Sequence, residues 1–369
     1  MNIFLKKMMY LLPIPIFIVA VNYFVEKTNL LKNNARDAAL YLWQGYNIAN
    51  AYTCGDSCIK EFYVKNAMQG KDILIFGSSR SLGINNKLFP GKTFFNMSVT
   101  DGRLENFICF YFLWREKGLI PAHVILGLDV WLLKSKSQCD LMAVIKDKLI
   151  EADSDFSSVF DSGSDSNCDC GCKQTTGEAL EFAQRLVSID LFRNSLMYGV
   201  NVLLHGCGFR GVGVFYPTKE NFADSEVMLA DGSINYGLVR RSRSVEEVNR
   251  QVLSGIKEKG FSHLNDFEKL DVDMVKLFEI FIKLLLRDNV SITFFLTPYH
   301  PKAYDLLKVS EKNKIVCTVR DYFKEVARKN NIKVLGDFDP AINNLEDSDF
   351  FDEFHPKESA MQKVFGKFG

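Results

Sequence analysis

The chain has no surplus of charge: 45 lysines and arginines balance 45 aspartates and glutamates. No global field draws it to nucleic acid, and no basic stripe interleaved with aromatics supplies a local one. Zinc-site spacing is also missing. Cys168, Cys170 and Cys172 form C-x-C-x-C with no histidine nearby, not the C-x₂-C that tetrahedral zinc sites favour. No internal repeat stands out, which argues against a solenoid. What is present is a full complement of core material. Hydrophobic residues make up 47% and charged residues 24% of 369 positions, enough for one large domain with insertions, or a domain with a small lobe.

The N-terminus carries one apolar run, from Met8 to Val25, preceded by Lys6 and Lys7. At roughly 18 residues it meets the lower limit for a membrane span. The preceding lysines predict a cytoplasmic N-terminus and an exported remainder. Two prolines and the short length suit a cleavable signal as well, but no small-x-small pattern follows, since Asn22, Tyr23 and Phe24 stand there. The expectation is therefore an anchor at 1–28, a stalk packing on the domain at 29–70, and a main domain at 71–369 with an insertion at about 134–260. Export favours disulfides for the clustered cysteines at 168–172 and for Cys54 and Cys58. Cys109, between Ile108 and Phe110, reads as core.

From residue 72 a rhythm begins. Short apolar runs at 72–76, 93–97, 123–128, 291–296 and 332–335 predict buried parallel strands. Between them, 104–117, 272–286 and 315–328 repeat apolar residues at helical spacing. Strands alternating with helices predict an α/β fold: a three-layer, doubly wound parallel sheet of about five strands. In such sheets function gathers at the carboxyl ends of the strands. Residues 178–204 and 245–259 read as helices of the insertion, 209–245 as loop.

The strand ends carry the chemistry. Gly77-Ser78-Ser79-Arg80-Ser81 follows the first strand. It admits a nucleophilic serine, a phosphate cradle built from backbone N–H groups and Arg80, or a plain serine-capped turn. It has neither the G-x-x-x-x-G-K of a P-loop nor the G-x-G-x-x-G of a dinucleotide fold. Asp352-Glu353-Phe354-His355 places a carboxylate three residues before an imidazole on one loop. Together with the serine this is the material of a Ser-His-Asp site. His300, after the fourth strand, and Trp131, after the third, are candidate substrate contacts. His123, His205 and His263 lie at element boundaries and receive no role.

These blocks resemble the SGNH (GDSL-like) hydrolase superfamily, in particular its membrane-anchored, exported branch linked to acylation of bacterial cell-surface polymers. The resemblance covers about 71–130 and 290–365 and implies an SGNH/flavodoxin-like fold. Phe76-Gly77-Ser78-Ser79-Arg80 resembles the first block and implies Ser79 as nucleophile. Phe95-Asn96-Met97-Ser98-Val99-Thr100-Asp101-Gly102 resembles the second, whose glycine N–H serves the oxyanion hole, here Gly102. Leu126-Gly127-Leu128-Asp129 resembles the third, with Asp129 where a hole-forming Asn is usual. Asp352 and His355 match the last. Three departures accompany the match: Ser78 replaces the usual Asp, Asp101 holds the nominal glycine position, and a carboxylate at 129 would repel an oxyanion.

The resemblance implies an exported O-acyl esterase or acyltransferase on a cell-surface carbohydrate, needing no cofactor. Ser79 would attack, His355 would move the proton and Asp352 would orient it. Ser79, Gly102 and Asp129 would line the oxyanion hole, and Arg80, His300 and Trp131 would bind substrate. The alternatives are a non-catalytic SGNH-like fold binding polysaccharide or an integral membrane acyltransferase, and a phosphate-binding doubly wound domain.

Overall fold

The computed structural model describes residues 13–28, 30–51, 55–134, 145, 148–150, 192, 215–309 and 314–366. The cysteine cluster at 168–172, Cys54, Cys139, Cys207, His205 and the predicted helix at 178–204 lie outside the described residues, and so does the first part of the apolar run. The N-terminal part carries α1 (Pro13–Thr28), α2 (Leu30–Trp43), β1 (Asn47–Ala49) and α3 (Asp56–Lys65). The alternating part follows with β2 (Ile73–Phe76), β3 (Phe94–Asn96), α4 (Leu104–Glu116) and β4 (His123–Leu128). Next come β5 (Tyr216–Thr218), β6 (Val227–Met228), β7 (Ile234–Asn235), α5 (Leu238–Arg241) and α6 (Val245–Lys259). The chain then runs through α7 (Val272–Arg287), β8 (Ser291–Leu296), α8 (Pro301–Val309), α9 (Ile315–Lys329), β9 (Lys333–Gly336) and α10 (Glu358–Phe365).

The protein is mixed α/β, built on a five-stranded sheet in the order β3-β2-β4-β8-β9, with every pair parallel. Both faces are covered, which is why its strands read as continuous apolar runs. Leu74, Phe76, Leu126 and Phe294 pack on one face with Phe107 of α4, Phe278 of α7 and Phe323 of α9. Ile73, Ile75, Ile125 and Phe295 pack on the other with Met361 and Val364 of α10. Each such side chain contributes roughly 1.5–3 kcal/mol when fully buried. The chain leaves β2 for β3 and returns past it to β4, so the winding reverses beside β2. That reversal opens a crevice at the carboxyl ends of β2 and β4.

One expectation needs correction. Residues 209–245 are not only loop: β5, β6 and β7 join β1 in a second, antiparallel sheet ordered β5-β1-β6-β7. These strands are two or three residues long and too short to show alternation. The 16 residues of α1 rise about 24 Å, short of a hydrocarbon core of about 30 Å, and no helix among the described residues is long and apolar enough to cross a membrane. Its Ile14, Ile16, Phe17 and Tyr23 are nevertheless exposed.

Helices α2 and α3 are held against the main sheet by a stack of rings. Trp43 lies on Tyr63 at 4.5 Å, and Tyr63 lies on Phe95 of β3 at 3.8 Å between centroids. Cys109 packs half-buried against the core, where burial pushes its thiol up to about 11.

Candidate active site

At the end of β2 the backbone turns through a short 3₁₀ helix, Ser79–Ser81, whose cap is Ser78: its hydroxyl accepts from the Arg80 N–H at 3.2 Å. The turn is close-packed. A Cβ on Gly77 would meet Ser81 Oγ at 2.5 Å, and one on Gly127 would meet the same atom at 2.1 Å. Small residues here let Ser81 fill the space beneath the turn, leaving Ser79 to face the crevice.

The partner loop is shaped by its own carboxylate. Asp352 Oδ1 accepts from the backbone N–H groups of Phe354 and His355, both at 2.9 Å. That local turn holds the imidazole beside its carboxylate, with His355 Nδ1 2.8 Å from Oδ1 and 3.0 Å from Oδ2 of Asp352. The other ring nitrogen, Nε2, lies 2.9 Å from Ser79 Oγ. The structure thus brings Ser79, His355 and Asp352 into one hydrogen-bonded line. Burial pushes the Asp352 carboxyl up, but His355, its hydrogen bond and the Arg240 guanidinium outweigh that, and the carboxyl sits well below the usual range. It is ionised at neutral pH.

Arg240, on α5, is a member of this cluster that sequence reasoning missed. It donates to Asp352 Oδ2, and its Nη2 lies 2.7 Å from His355 Nδ1. An Nδ1 that donates to Asp352 cannot also accept from a guanidinium. In the tautomer that frees Nε2 to take a proton, Asp352 accepts from the neutral imidazole's Nδ1–H and from the Arg240 guanidinium. Arg240 also lies over Tyr236 at 4.0 Å from the ring centroid, and the Tyr236 hydroxyl donates to the Ser79 carbonyl at 3.2 Å. The region read as an insertion thus reaches into the site.

The oxyanion-hole assignments change. The Gly102 N–H donates to Val99 O at 3.0 Å, closing a turn. It is not free to bind an oxyanion. Gly102 is required for another reason: a Cβ there would meet Gly77 O at 2.3 Å. The third residue of that turn, Asp101, has φ +52°, the left-handed conformation glycine takes readily. Among the described residues the backbone N–H groups of Ser79 and Asp101 have no partner, and both residues line the crevice. They are the available pair of donors.

Asp129 is turned away from that position. It is fully buried, and its Oδ1 takes Arg80 Nη1 at 2.9 Å and the Thr297 hydroxyl at 2.5 Å. Arg80, 1% exposed, gives its remaining bonds inward as well, to the carbonyls of Phe354 at 3.2 Å, Thr297 at 2.6 Å and Pro298 at 2.7 Å. It lies 4.3 Å from the Tyr299 ring centroid. A guanidinium so engaged clips β2, β4, the loop after β8 and the His355 loop together. With its charge met by Asp129 and four of its five N–H groups engaged, it keeps at most one N–H for a substrate or a phosphate. His300 is not available: it is fully buried, its Nδ1 accepts from the Lys302 N–H at 3.2 Å, and burial pushes its imidazole down to about 4.

The crevice beside Ser79 and His355 has a volume of about 390 Å³. Trp131, Phe354 and His263 give it aromatic walls. His263, to which the sequence assigns no role, meets the Trp131 ring edge-on at 4.9 Å. Burial, with Arg80 and Lys134 nearby, pushes its imidazole down to about 3, so it is neutral. Asp101, Arg103 and Lys134 complete the lining.

The loop carrying Asp101 is braced from α3. Asp56 Oδ2 accepts from the Thr100 N–H at 2.6 Å and its hydroxyl at 2.8 Å, and the fully buried Lys60 donates to the Ser98 carbonyl. Burial lowers the Lys60 ammonium from 10.5 to about 7, against the pull of Asp56 and Asp231. Between those values the unfolded chain holds a proton that the folded one has released. Stability contributed by this group therefore rises with pH from about 7 to 10.5, and its full cost is present below 7. The stability of Lys60→Met relative to wild type is expected to fall by on the order of 5 kcal/mol across that window. Denaturant titrations of both proteins at several pH values check this; a pH-independent difference would show that Lys60 does not titrate there.

Comparison of the chain with protein-family models, with curated proteins and with solved structures gives no match, so the reading of this crevice as an active site stands on its geometry.

Proposed function

We propose that the protein is an SGNH-like serine O-acyl esterase or acyltransferase acting on a carbohydrate ester. The observation that carries the reading is the line from Ser79 Oγ to His355 Nε2 at 2.9 Å and from Nδ1 to Asp352 at 2.8 Å, made by residues 276 positions apart in the chain. Ser79 Oγ attacks the acyl carbonyl as its proton passes to His355 Nε2. Asp352 holds Nδ1–H and stabilises the imidazolium. The N–H groups of Ser79 and Asp101 take the developing oxyanion. Collapse breaks the bond from the acyl carbon to the sugar oxygen, which takes the proton from Nε2 and departs as a hydroxyl, leaving acyl-Ser79. Water or a second hydroxyl, deprotonated by the same imidazole, then removes the acyl group. The motive for a non-catalytic reading was a carboxylate in the oxyanion hole, and Asp129 is spent on Arg80 instead.

We place the domain outside the cytoplasm, attached to the membrane through its N-terminal segment. Lys6 and Lys7 before the apolar run and the exposed apolar side chains of α1 support this.

One experiment tests both proposals. A charged, membrane-impermeant fluorophosphonate is applied to spheroplasts expressing the full chain. Wild type should be labelled without lysis and Ser79→Ala should not. Equal labelling of Ser79→Ala would remove the nucleophile; labelling that needs lysis would remove the exported location.

A further inference from the structure

We propose that the crevice selects an acyl ester borne on an anionic carbohydrate, with Arg103 and Lys134 taking the substrate's negative group. The inference rests on the reading of this crevice as the acyl-substrate site and adds the charge class of what enters it. The argument is one of charge accounting around a single cavity. Arg80 lines the wall, but its charge is met by Asp129 at 2.9 Å. The Asp352 carboxylate at the catalytic end is met by Arg240. That leaves Asp101, Arg103 and Lys134 on the lining. Arg103 makes no side-chain hydrogen bond or ion pair among the described residues, so its planar fork of donors is unspent. Lys134 donates to the Asn265 carbonyl and keeps two further hydrogens. Neither cation pairs with Asp101, so the lining carries one net positive charge beside the nucleophile.

An unpaired guanidinium and an ammonium in a half-enclosed cavity form a site for a carboxylate or phosphate. Trp131 and Phe354 on the same walls offer apolar faces to a sugar ring. A neutral ester would leave both cations without a counterion when it excludes water from them. The shared chemistry is an oxyanion on the sugar or the linkage next to the acylated hydroxyl: a uronate carboxylate or a phosphodiester.

The test is binding, measured calorimetrically with full-chain Ser79→Ala, so that turnover is not required. The probes are a uronic acid oligosaccharide, the same oligosaccharide with its carboxylates reduced to hydroxymethyl groups, and an oligo(glycerol phosphate). At least one anionic probe should bind about tenfold or more tighter than the reduced one, weakening as salt is raised. Which anion binds distinguishes carboxylate from phosphate. Arg103→Glu and Lys134→Gln, each added to Ser79→Ala, should each cost about tenfold in affinity for that anion, and Arg103→Lys should restore part of the loss. Equal binding of the reduced oligosaccharide, no binding of either anion, or unchanged affinity in a folded Arg103→Glu protein would overturn the proposal. Charge-selective binding without fluorophosphonate labelling of wild type would keep the anion site formed by Arg103 and Lys134 and discard the esterase reading, and the acyl ester with it.

Discussion

Ser79→Ala is expected to lower acyl-ester turnover by about 10³-fold or more, and His355→Ala by a similar factor. The two losses should not add. Ser79 Oγ is a nucleophile only while Nε2 accepts its proton, and the two atoms sit 2.9 Å apart. Once either is gone the other has nothing to act on. The Ser79/His355 double mutant should therefore match the worse single mutant within a few-fold, where independent contributions would multiply. Asp352→Asn should cost less than Ser79→Ala but still orders of magnitude, because an amide can present its NH₂ to Nδ1 and favour the wrong tautomer. Ser78→Ala should be mild, since that hydroxyl only caps a three-residue turn. The measurement is turnover of an acetylated oligosaccharide by each variant, with folding checked by circular dichroism. Full activity in Ser79→Ala would dismiss the nucleophile; multiplicative losses in the double mutant would dismiss the concerted pair.

The central sheet was legible because its strands are buried on both faces. Residues 123–128 and 291–296 read as strands from composition alone and are strands over those bounds. The pair Asp352 and His355 was legible because its geometry is local: the turn is made by Asp352 accepting from the two N–H groups that follow it. What was not legible depends on partners distant in sequence. Arg240 meets Asp352 across 112 residues from a helix of four residues with no pattern of its own. The resemblance assigns the oxyanion donor to Gly102 because a glycine is usual in that block, yet the Gly102 N–H is spent on Val99 O. The left-handed residue is Asp101, while Gly102 is required by the approach of Gly77 O. His263 is silent in the sequence, since nothing near it predicts that Trp131 and Tyr299 will close around it.

Asp129 shows how a tertiary partner changes the sign of an expectation. With its carboxylate in an oxyanion hole, Asp129→Asn would raise the rate by replacing a repulsive group with a donor. Its oxygen instead meets Arg80 and Thr297 in a fully buried cluster. Asn can keep the shape, and its Oδ1 can accept both bonds, but its NH₂ replaces Oδ2, a buried atom with no partner, so Asp129→Asn removes the charge and buries two donors. The Arg80 guanidinium then stays buried against three carbonyls with no counterion. Removing one partner of a buried pair costs about 3–5 kcal/mol, and the retained carbonyls should hold Asp129→Asn near the lower end, with Asp129→Ala above it. Because Arg80 also ties the Ser79 turn to the Phe354 carbonyl beside His355, activity should fall with stability. Arg80→Met/Asp129→Leu removes both charges and should be more stable than either single mutant, a coupling that a double-mutant cycle reads directly. Denaturant midpoints for wild type, Asp129→Asn, Asp129→Ala, Arg80→Met, Asp129→Leu and the double mutant, with turnover measured on each, supply the check. A gain in turnover for Asp129→Asn without loss of stability would return Asp129 to the oxyanion hole and make its pairing with Arg80 incidental.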